Sequence, residues 1–544
     1  MKNIQTVLIE VVKKSLLNRG LTQVSDDEII LDIPSDERFG DLSTNIALRL
    51  SKLLKQSPRE IGLSLAGDIK KILDEDHLQG FIKEIKVEGA GFINFYFSQE
   101  YFYSQLKNII SNGKEALRIN LGKNRKVLIE FVSANPTGSL SVAHARQAAV
   151  GDSLANIFDF IGFNAKREYY LNDEGNQINI LGNSVDLRMK ELAGEKVEFP
   201  ENYYQGSYIY DVAKKAKEDN IAKDALGDYS GGYILDIIKK ELEDFGVRFD
   251  YWSSQKELTK AGKIEQAFES LKQKGFLYED GGATWFKSTA LGDDKDRVVI
   301  KSDGAYTYLA PDIAYHEEKY RRGFDWLINL WGPDHHGYIN RLKASVQAFG
   351  HDAASLSIVI VQLATIFRDG TPVQMSTRKG QYITLREVLD EVGKDAARFF
   401  FLMRRTSSHL DFDLDVAKKQ SSENPVFYIQ YAYARISSIL RSSQVNIDGD
   451  VDVSLLKEKE ELALIKKLLQ FQAILNICLA TQDPYMVTVY LQELAESFHK
   501  FYDLHRVLGV GDALTKARLA LIEGAKIVLA CGLDLLGVSK PEKM

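Results

Sequence analysis

KVLIEFVSANPTGSLSVAHARQAAV, residues 126–150, is the stretch that decides the fold. Its first part, Lys126–Val132, is an apolar run typical of a buried strand. A turn with Pro and Gly follows at Ser133–Gly138, and a helix is predicted to begin near Ser141. A helix that starts just after a buried strand offers free N–H groups and a positive dipole end. The stretch therefore predicts an α/β sheet with an anion-binding edge.

The same strand–helix alternation continues over residues of about 120–415. WLINLWG (326–332) and LSIVIVQLA (356–364) are further apolar runs bounded by turn signals, as expected of buried parallel strands. This alternation predicts a doubly wound, Rossmann-like sheet. Residues of about 183–285 are richer in helix and charge, and we interpret them as an insertion between the two halves of the sheet.

The flanking segments predict two further domains, and the 544 residues are too many for one core. Residues 1–115 predict an α+β domain, because a long opening helix precedes the alternating strands GFIKEIKVEG (80–89) and GAGFINFYFS (89–98). From about 420 to 544 the strand signals vanish and helical periodicity prevails, which predicts an all-α bundle.

Composition indicates a soluble cytosolic protein, with 45% hydrophobic and 27% charged residues. No stretch reaches the ~18 consecutive apolar residues expected of a membrane span. The opening segment carries frequent charges, so it predicts an amphipathic helix and not a signal peptide. Cys478 and Cys531 are expected to be buried, reduced thiols. The net charge of −7 gives no independent sign of nucleic-acid binding.

The predicted helix start carries the first candidate site. Ser141 is placed as N-cap, and His144 lies in the first turn, where its imidazole can donate a hydrogen bond to a phosphate. The alternative is an ordinary capped helix whose histidine happens to face solvent.

Two carboxylates are candidates for binding a planar cationic group, which needs bidentate acceptors. Glu130 ends the first strand, and Asp312 follows Tyr308 by four residues, so that both share one face of a predicted helix. The alternative for the Tyr308/Asp312 pair is ordinary surface chemistry.

The turn Gly332-Pro333-Asp334-His335-His336 follows the strand WLINL, at the edge where an open α/β sheet binds its ligand. We expect Gly332, Asp334 and His335 to contact a ligand bound at this edge. A metal site is the rival interpretation, since Asp and two His form a possible ligand set.

Residues 129–157 resemble the first signature of class I aminoacyl-tRNA synthetases in its arginyl form, Ser-Ala-Asn-Pro-Thr-Gly followed by His-(Val/Leu)-Gly-His. Here the box is Ser141-Val142-Ala143-His144, so serine replaces the first histidine and alanine the glycine. QMSTRKG (374–380) resembles the second signature, Lys-Met-Ser-Lys-Ser. Gln374 and Thr377 stand for its lysines, and Arg378 and Lys379 are the nearest cations.

The resemblance covers essentially the whole chain and implies the function of the arginyl-tRNA synthetases. Such an enzyme activates arginine with ATP and transfers it to the terminal 2′-hydroxyl of tRNA(Arg), with Mg²⁺ carried by ATP and no protein-bound metal. It implies that the first domain contacts the D-loop side of tRNA and the last the anticodon, and we expect a monomer. A synthetase-like protein that binds tRNA or arginine without charging remains the alternative. A class I synthetase for another amino acid is less favoured, because a neutral substrate would leave Asp312 an unpaired buried charge.

The resemblance also assigns roles to individual residues. Catalysis is assigned to His144, Ser141, Gln374, Met375, Ser376, Arg378 and Lys379. Arginine binding is assigned to Glu130, Ser133, Ala134, Asn135, His144, Tyr308, Asp312, His335 and His336. ATP binding is assigned to Thr137, Gly138, Ser141, Ala143, His144, Gly332, Asp334, His335, Gln362, Leu363 and Ser376. For tRNA, whose bases stack on aromatic side chains and arginine, the candidates are Phe39, Asn45, Tyr431, Tyr433 and Arg435.

Overall fold

The structure is a computed structural model that describes residues 4–25, 28–34, 36–75, 79–373, 382–445, 447 and 451–544. The chain forms an N-terminal α+β domain, a central domain built on a parallel sheet, and a C-terminal helical bundle. The fold class predicted from the sequence is therefore confirmed.

The N-terminal domain packs helices on a small antiparallel sheet of order β1-β3-β2. The opening helix is amphipathic as predicted, since it buries Leu8, Val11, Val12 and Leu16. The strands and helices are β1 (Leu42–Thr44), β2 (Ile82–Glu88), β3 (Phe92–Phe97), α1 (Ile4–Leu17), α2 (Ile46–Leu54), α3 (Pro58–Glu75) and α4 (Gln99–Asn112).

The central domain contains a five-stranded parallel sheet of order β11-β10-β4-β5-β6. β4 lies in the middle, where Val127, Leu128 and Ile129 are almost fully buried. The strand order reverses between β4 and β10, which is where doubly wound sheets bind ligands. The strands are β4 (Lys126–Glu130), β5 (Asn164–Leu171), β6 (Tyr251–Ser254), β10 (Trp326–Trp331) and β11 (Leu356–Ile360). Their principal helices are α5 (Val142–Phe160), α11 (Leu309–Arg321) and α12 (Ile339–Phe349).

The predicted insertion over about 183–285 is wrong in one respect, because β6 lies inside that range and belongs to the main sheet. β6 has four residues at the sheet edge and Tyr251 is exposed, so it lacks the apolar run of a central strand. The helices before β6 are α6 (Asn176–Leu192), α7 (Tyr208–Glu218) and α8 (Leu226–Asp244). After it come α9 (Gln255–Lys260), α10 (Lys263–Gln273) and a sheet of β7 (Leu277–Asp280), β8 (Ala283–Phe286) and β9 (Arg297–Ile300).

The apolar run at 356–364 spans two elements. β11 ends at Ile360, a short turn follows, and β12 starts at Ala364 in a separate three-stranded sheet of order β13-β12-β14. The elements of this region are β12 (Ala364–Arg368), β13 (Thr371–Pro372), α13 (Leu385–Leu402), β14 (Leu410–Asp413) and α14 (Leu414–Lys418).

The C-terminal domain is the predicted bundle, and both cysteines are buried free thiols in it, as expected. Lys459–Thr481 is long and apolar enough to span a membrane by length and composition alone. It forms two consecutive helices whose apolar faces, including Leu464, Leu468 and Phe471, are buried in the bundle. The helices are α15 (Pro425–Ser442), α16 (Lys459–Leu469), α17 (Phe471–Thr481), α18 (Tyr485–Leu504) and α19 (Asp512–Leu536).

Buried polar contacts join the three parts. The fully buried guanidinium of Arg398 on α13 donates to the carbonyl of Leu536 at 2.7 Å and to Asp152 of α5 at 2.6 Å. Lys466 of α16 forms an ion pair with Asp41 of the N-terminal domain at 2.8 Å. The bundle is therefore fastened to both other domains.

Candidate active site

A cavity of about 760 Å³ lies at the carboxyl ends of β4 and β10. The sheet order reverses between these strands, and the N-terminal end of α5 and one face of α11 complete the walls. The cavity gathers predicted residues from distant parts of the chain, namely Glu130, Ser133, Ala134, Asn135, Ala143, His144, Tyr308, Asp312, Gly332, Asp334, His335 and Leu363.

The turn after β4 has a strained backbone. Val132 and Ser133 both have positive φ, 68° and 41°, and a β-branched residue rarely adopts this conformation. The turn directs the Ser133 hydroxyl back to Glu130 Oε1, to which it donates at 3.0 Å. The same hydroxyl accepts from the backbone N–H of Tyr170 at 3.1 Å. The strained turn thus fixes the position of Glu130 against β5.

The predicted N-cap at Ser141 is confirmed, and His144 completes a capping box. The backbone N–H of Ser141 donates to Nδ1 of His144 at 3.2 Å. Burial lowers the pKa of His144 to about 4, so the ring is neutral near pH 7. Because Nδ1 accepts, the ring proton is on Nε2, which leaves one donor available. His144 is half-buried in the cavity wall, which argues against a histidine that simply faces solvent.

Glu130 already has a cationic partner that the sequence did not reveal. The ammonium group of Lys319, which is fully buried, donates to Glu130 Oε2 and to Asn329 Oδ1, the latter at 3.2 Å. A second carboxylate, Glu168, lies 3.9 Å from the same Nζ. Glu130 is therefore neutralised within the protein and is not a free partner for a guanidinium.

Asp312 is the carboxylate at the cavity wall that lacks a basic partner in the described parts of the chain. Its Oδ2 accepts from the Tyr338 hydroxyl at 2.7 Å. Burial raises its pKa to about 7; the Tyr338 hydrogen bond and Lys319 oppose this rise, and the charge of Glu130 adds to it. A cation that enters the cavity would favour the ionised form.

The predicted Tyr308/Asp312 pair is not formed as a contact. Tyr308 is the N-cap residue of α11 and is 85% exposed, and no hydrogen bond joins these two described side chains. Tyr338 provides the phenol beside Asp312 instead. Tyr308 still lines the mouth of the cavity, so its predicted role in binding the substrate remains a prediction.

His316 forms part of the cavity floor together with Asn329. Its Nδ1 donates to the backbone carbonyl of Asp312 at 2.8 Å, and its Nε2 accepts from Asn329 Nδ2 at 2.7 Å. Burial and the charge of Lys319 keep its pKa well below the usual range, so it is neutral. Asp312, His316 and Lys319 are spaced at i, i+4 and i+7 on α11, and this polar face was the available sequence signal.

The β10 turn forms the opposite wall. Gly332, Asp334 and His335 line the cavity as predicted, whereas His336 is exposed and does not line it. His335 Nε2 lies 3.6 Å from Asp334 Oδ2. Within the described residues, no group of three or more His, Cys, Asp or Glu side chains converges as a metal site would require, so the rival metal interpretation has no support here.

Three further ATP candidates lie behind the cavity wall. Thr137 and Gly138 do not line the cavity, because the Thr137 carbonyl accepts from the Tyr208 hydroxyl at 2.6 Å. The Tyr208 ring also lies against Gly138. Gln362 does not line the cavity either, and its backbone is bound within the protein. These three residues do not line the cavity, and their predicted contacts with ATP remain predictions.

The second signature lies outside the described residues, and this applies to the candidates Gln374, Met375, Ser376, Arg378 and Lys379. The residues that follow it are joined to the start of α5 by two backbone hydrogen bonds. The N–H of Leu385 donates to the Leu140 carbonyl at 2.8 Å, and the N–H of Val142 donates to the Ile383 carbonyl at 3.3 Å. The segment after the second signature therefore pairs with the start of α5.

The candidates for tRNA contact differ in how exposed they are. Phe39 and Asn45 line a cavity of about 370 Å³ in the N-terminal domain, and Phe39 is 45% exposed. On α15, the Arg435 guanidinium lies 5.0 Å from the Tyr431 ring and 4.7 Å from the Tyr502 ring. Tyr433 is buried at 6% exposure, so the prediction that it presents a stacking face is wrong.

Family models account for nearly all of the chain. The arginyl tRNA synthetase N terminal domain matches residues 2–97. The catalytic domain of class I (R) tRNA synthetases matches residues 105–410, and the DALR anticodon binding domain matches residues 429–544.

Full-length relatives agree with these models. The chain is 44% identical to an arginine–tRNA ligase of Citrifermentans bemidjiense, with 100% of both chains covered. It is equally identical to the arginine–tRNA ligase of Listeria monocytogenes, again over 100% of both. The solved structure of the arginyl-tRNA synthetase of Thermus thermophilus shares the fold, with a TM-score of 0.80, 22% identity and 100% of both chains covered. The chain belongs to the arginyl-tRNA synthetases, class I enzymes that ligate arginine to tRNA with ATP.

Proposed function

We propose that arginine and ATP meet in the cavity between β4 and β10, with Asp312 as the partner of the arginine guanidinium. The observation that carries this proposal is the contrast between the two wall carboxylates. Glu130 is neutralised by Lys319, whereas Asp312 has a phenol as partner and no ion pair in the described structure. A guanidinium would supply the missing positive charge and match the planar carboxylate.

The α-amino and carboxylate groups of arginine are then expected near the strained turn. Ser133, Ala134 and Asn135 lie at the cavity on that side. The Asn135 amide is held by Gln177 Oε1 at 2.6 Å, which leaves its carbonyl oxygen for an ammonium group. This orientation points the arginine carboxylate toward the N-terminal end of α5.

ATP is assigned to the side formed by α5 and the β10 turn. The first turn of α5 presents the Nε2 donor of His144 and the positive end of the helix dipole to the phosphates. Gly332, Asp334 and His335 are assigned to the ribose, since they lie at the carboxyl end of β10. Ser141 keeps a hydroxyl where the family usually has the first histidine of the box. Magnesium arrives as part of the ATP substrate, bound through its phosphates.

The reaction then proceeds in two displacements. An arginine carboxylate oxygen attacks the α-phosphorus of ATP, and the bond to the bridging oxygen breaks, so that pyrophosphate leaves and arginyl-adenylate remains. The terminal 2′-hydroxyl of tRNA attacks the acyl carbon, loses its proton to solvent, and AMP leaves. The protein positions the reactants and stabilises the developing phosphate charge through His144 and the helix end.

Transfer RNA is assigned to surfaces on both outer domains. In the N-terminal cavity, Asn45 Oδ1 is buried without a hydrogen-bond partner in the described structure, next to the exposed rings of Phe39 and Phe92. An amide acceptor beside aromatic rings fits an unstacked base. On the bundle, Tyr431 and Arg435 provide a ring and a cation for anticodon bases.

We also propose that the chain works as a monomer in the cytosol. The buried, free state of Cys478 and Cys531 supports a reducing compartment. Light scattering coupled to size-exclusion chromatography, at concentrations that bracket those of the assays, tests the monomer.

Arginine-dependent ATP–pyrophosphate exchange, with and without tRNA, tests the reaction. Exchange is expected with tRNA present. If exchange is absent in both conditions while tRNA still binds, the chain is a non-charging binder and the catalytic proposal fails.

The Asp312→Asn variant tests the guanidinium assignment. Removal of one charged partner of a buried pair costs about 2–5 kcal/mol, so KM for arginine should rise roughly 30-fold or more. Asp334→Asn is the matched control, because it removes an exposed carboxylate from the same cavity and should leave KM for arginine unchanged. An unchanged KM in Asp312→Asn would place the guanidinium partner elsewhere.

A further inference from the structure

We propose that Arg146 is a positioning residue that holds the nucleotide-side wall of the cavity at a set distance from the N-terminal end of α5. The inference rests on the proposed placement of ATP beside α5 and on the prediction that Leu363, which lines the cavity on this wall, contacts ATP. Arg146 is not expected to touch ATP, because it is fully buried and does not line the cavity.

The guanidinium of Arg146 binds backbone carbonyls of two separate loops. It donates to the carbonyls of Gln362 at 2.8 Å, Ser408 at 2.9 Å and Arg405 at 3.0 Å. Longer contacts reach the carbonyls of Leu363 at 3.4 Å and Arg404 at 3.5 Å. One side chain thus gathers residues 362–363, between β11 and β12, with residues 404–408, between α13 and β14.

The hydrogen-bond partners of this guanidinium are carbonyl groups. Within the described residues, no carboxylate forms an ion pair with Arg146. A buried charge without an ion pair is costly, so it persists where several dipoles converge on it. Burial lowers the pKa of Arg146 to about 10, and the nearby charge of Asp483 opposes this, so the group remains charged at neutral pH. The planar donor fork of arginine suits several carbonyls at once, which an ammonium group cannot match.

The wall that Arg146 holds is the turn of residues 361–363, which is bonded at both ends: the N–H of Val361 donates to the Trp331 carbonyl at 2.8 Å, and the Leu363 carbonyl accepts from the N–H of Leu410 at 3.3 Å. The N–H of Gln362 donates to the Thr406 carbonyl at 2.9 Å, so a backbone hydrogen bond joins this turn to the loop of residues 404–408. Leu363 is 51% exposed and lines the cavity, next to Val361. Without Arg146, the Gln362 carbonyl in the middle of this turn would lose its buried donor.

Arg146 lies only two residues after His144, in the first turns of α5. The side chain therefore links the helix end assigned to the phosphates with the turn that carries Leu363, the residue predicted to contact ATP from this wall. The second loop is fastened in turn to the bundle, because Asp483 Oδ2 accepts from the N–H of Thr406 at 2.8 Å and from its hydroxyl at 3.1 Å.

Arg146→Lys tests the proposal, since it keeps the charge and removes the fork. We expect KM for ATP in tRNA charging to rise at least tenfold, while KM for arginine stays within twofold. Arg398→Lys is the matched control. Arg398 is also fully buried and also binds carbonyls, those of Leu536 and Phe245, but it lies away from the cavity. It should lower the melting temperature without a selective change in KM for ATP.

The possible outcomes separate this inference from the proposed function. Equal changes in both KM values, or the same pattern in Arg146→Lys and Arg398→Lys, would mean that Arg146 is merely structural and would overturn the inference. A selective rise in KM for arginine would instead show that the two substrates are assigned to the wrong sides of the cavity, and both proposals would fail together.

A second variant applies if Arg146→Lys does not fold. Asp483→Ala releases the second loop at its other end while Arg146 stays intact. A selective rise of about threefold or more in KM for ATP supports the inference, and an unchanged KM for ATP overturns it.

Discussion

Lys319 donates a hydrogen bond from a fully buried ammonium group to Glu130, although 189 residues separate the two in the chain. The contact joins α11 to the end of β4 beneath the cavity. Glu130 is thereby one half of an internal ion pair, and for this reason we propose Asp312 as the partner of the arginine guanidinium.

Glu130→Gln should therefore lower stability more than a surface change would. The variant leaves the Lys319 ammonium buried without its main partner, and such losses cost about 3–5 kcal/mol. Glu168, 3.9 Å from the same Nζ, makes the lower end of that range the expected value. Chemical denaturation would measure the loss in free energy of unfolding. The double variant Glu130→Gln/Lys319→Met should recover most of it; no recovery would show that the pair is not the source of the loss.

The pKa of Asp312 predicts how arginine binding depends on pH. Its folded-state pKa is about 7, raised by burial above the ordinary value of 3.8, so the carboxyl is largely neutral below pH 7. A guanidinium binds the ionised form, so KM for arginine should rise as pH falls below 7, approaching about tenfold per pH unit. The measurement is KM for arginine between pH 5.5 and 8.5. Asp312→Asn should give a flat profile, and a parallel rise in that variant would assign the effect to another group.

The tautomer of His144 leads to a distinction between two amide substitutions. The amide nitrogen of glutamine can replace Nε2, whereas the shorter asparagine can replace only Nδ1, which accepts the N–H of Ser141. Loss of one donor to developing phosphate charge typically costs roughly 10²–10³ in kcat. His144→Asn should show such a loss, and His144→Gln should retain much more activity.

Equal losses in the two His144 variants would indicate that the donor is not the feature that matters. A melting curve of each variant is the control for the capping box, because both changes alter the first turn of α5. Steady-state kcat at saturating ATP, normalised to folded protein, is the deciding measurement.

Strands, helices and caps, which depend on a few neighbouring residues, were predicted well from the sequence. Contacts between side chains far apart in the chain were not predicted. The β4 strand, the Ser141 cap and the helical bundle follow from periodicity and capping chemistry over a few residues. Lys319 and Tyr338 meet their carboxylates only through the packing of α11 and α12 on the sheet.

The interpretation of Tyr433 failed for a related reason. Aromatic residues two apart on a helix face different directions, and α15 is covered on the side where Tyr433 lies. Sequence spacing could show that Tyr431 and Tyr433 differ in direction, but not which of them would face solvent.

That difference between Tyr431 and Tyr433 allows a matched test of the anticodon surface. Tyr431 is half-buried, stacks with His499 at 5.8 Å between ring centroids, and lies under Arg435. If it stacks on a tRNA base, Tyr431→Ala removes about 1–3 kcal/mol, or roughly 5- to 150-fold in KM for tRNA, with KM for arginine unchanged. Tyr433→Phe keeps the buried ring and should leave KM for tRNA unaltered. The charging rate as a function of tRNA concentration measures both. If Tyr431→Ala shows wild-type KM for tRNA, the stacking surface is elsewhere on the bundle, and the neighbouring ring of Tyr502 becomes the next candidate, since Arg435 also lies over it.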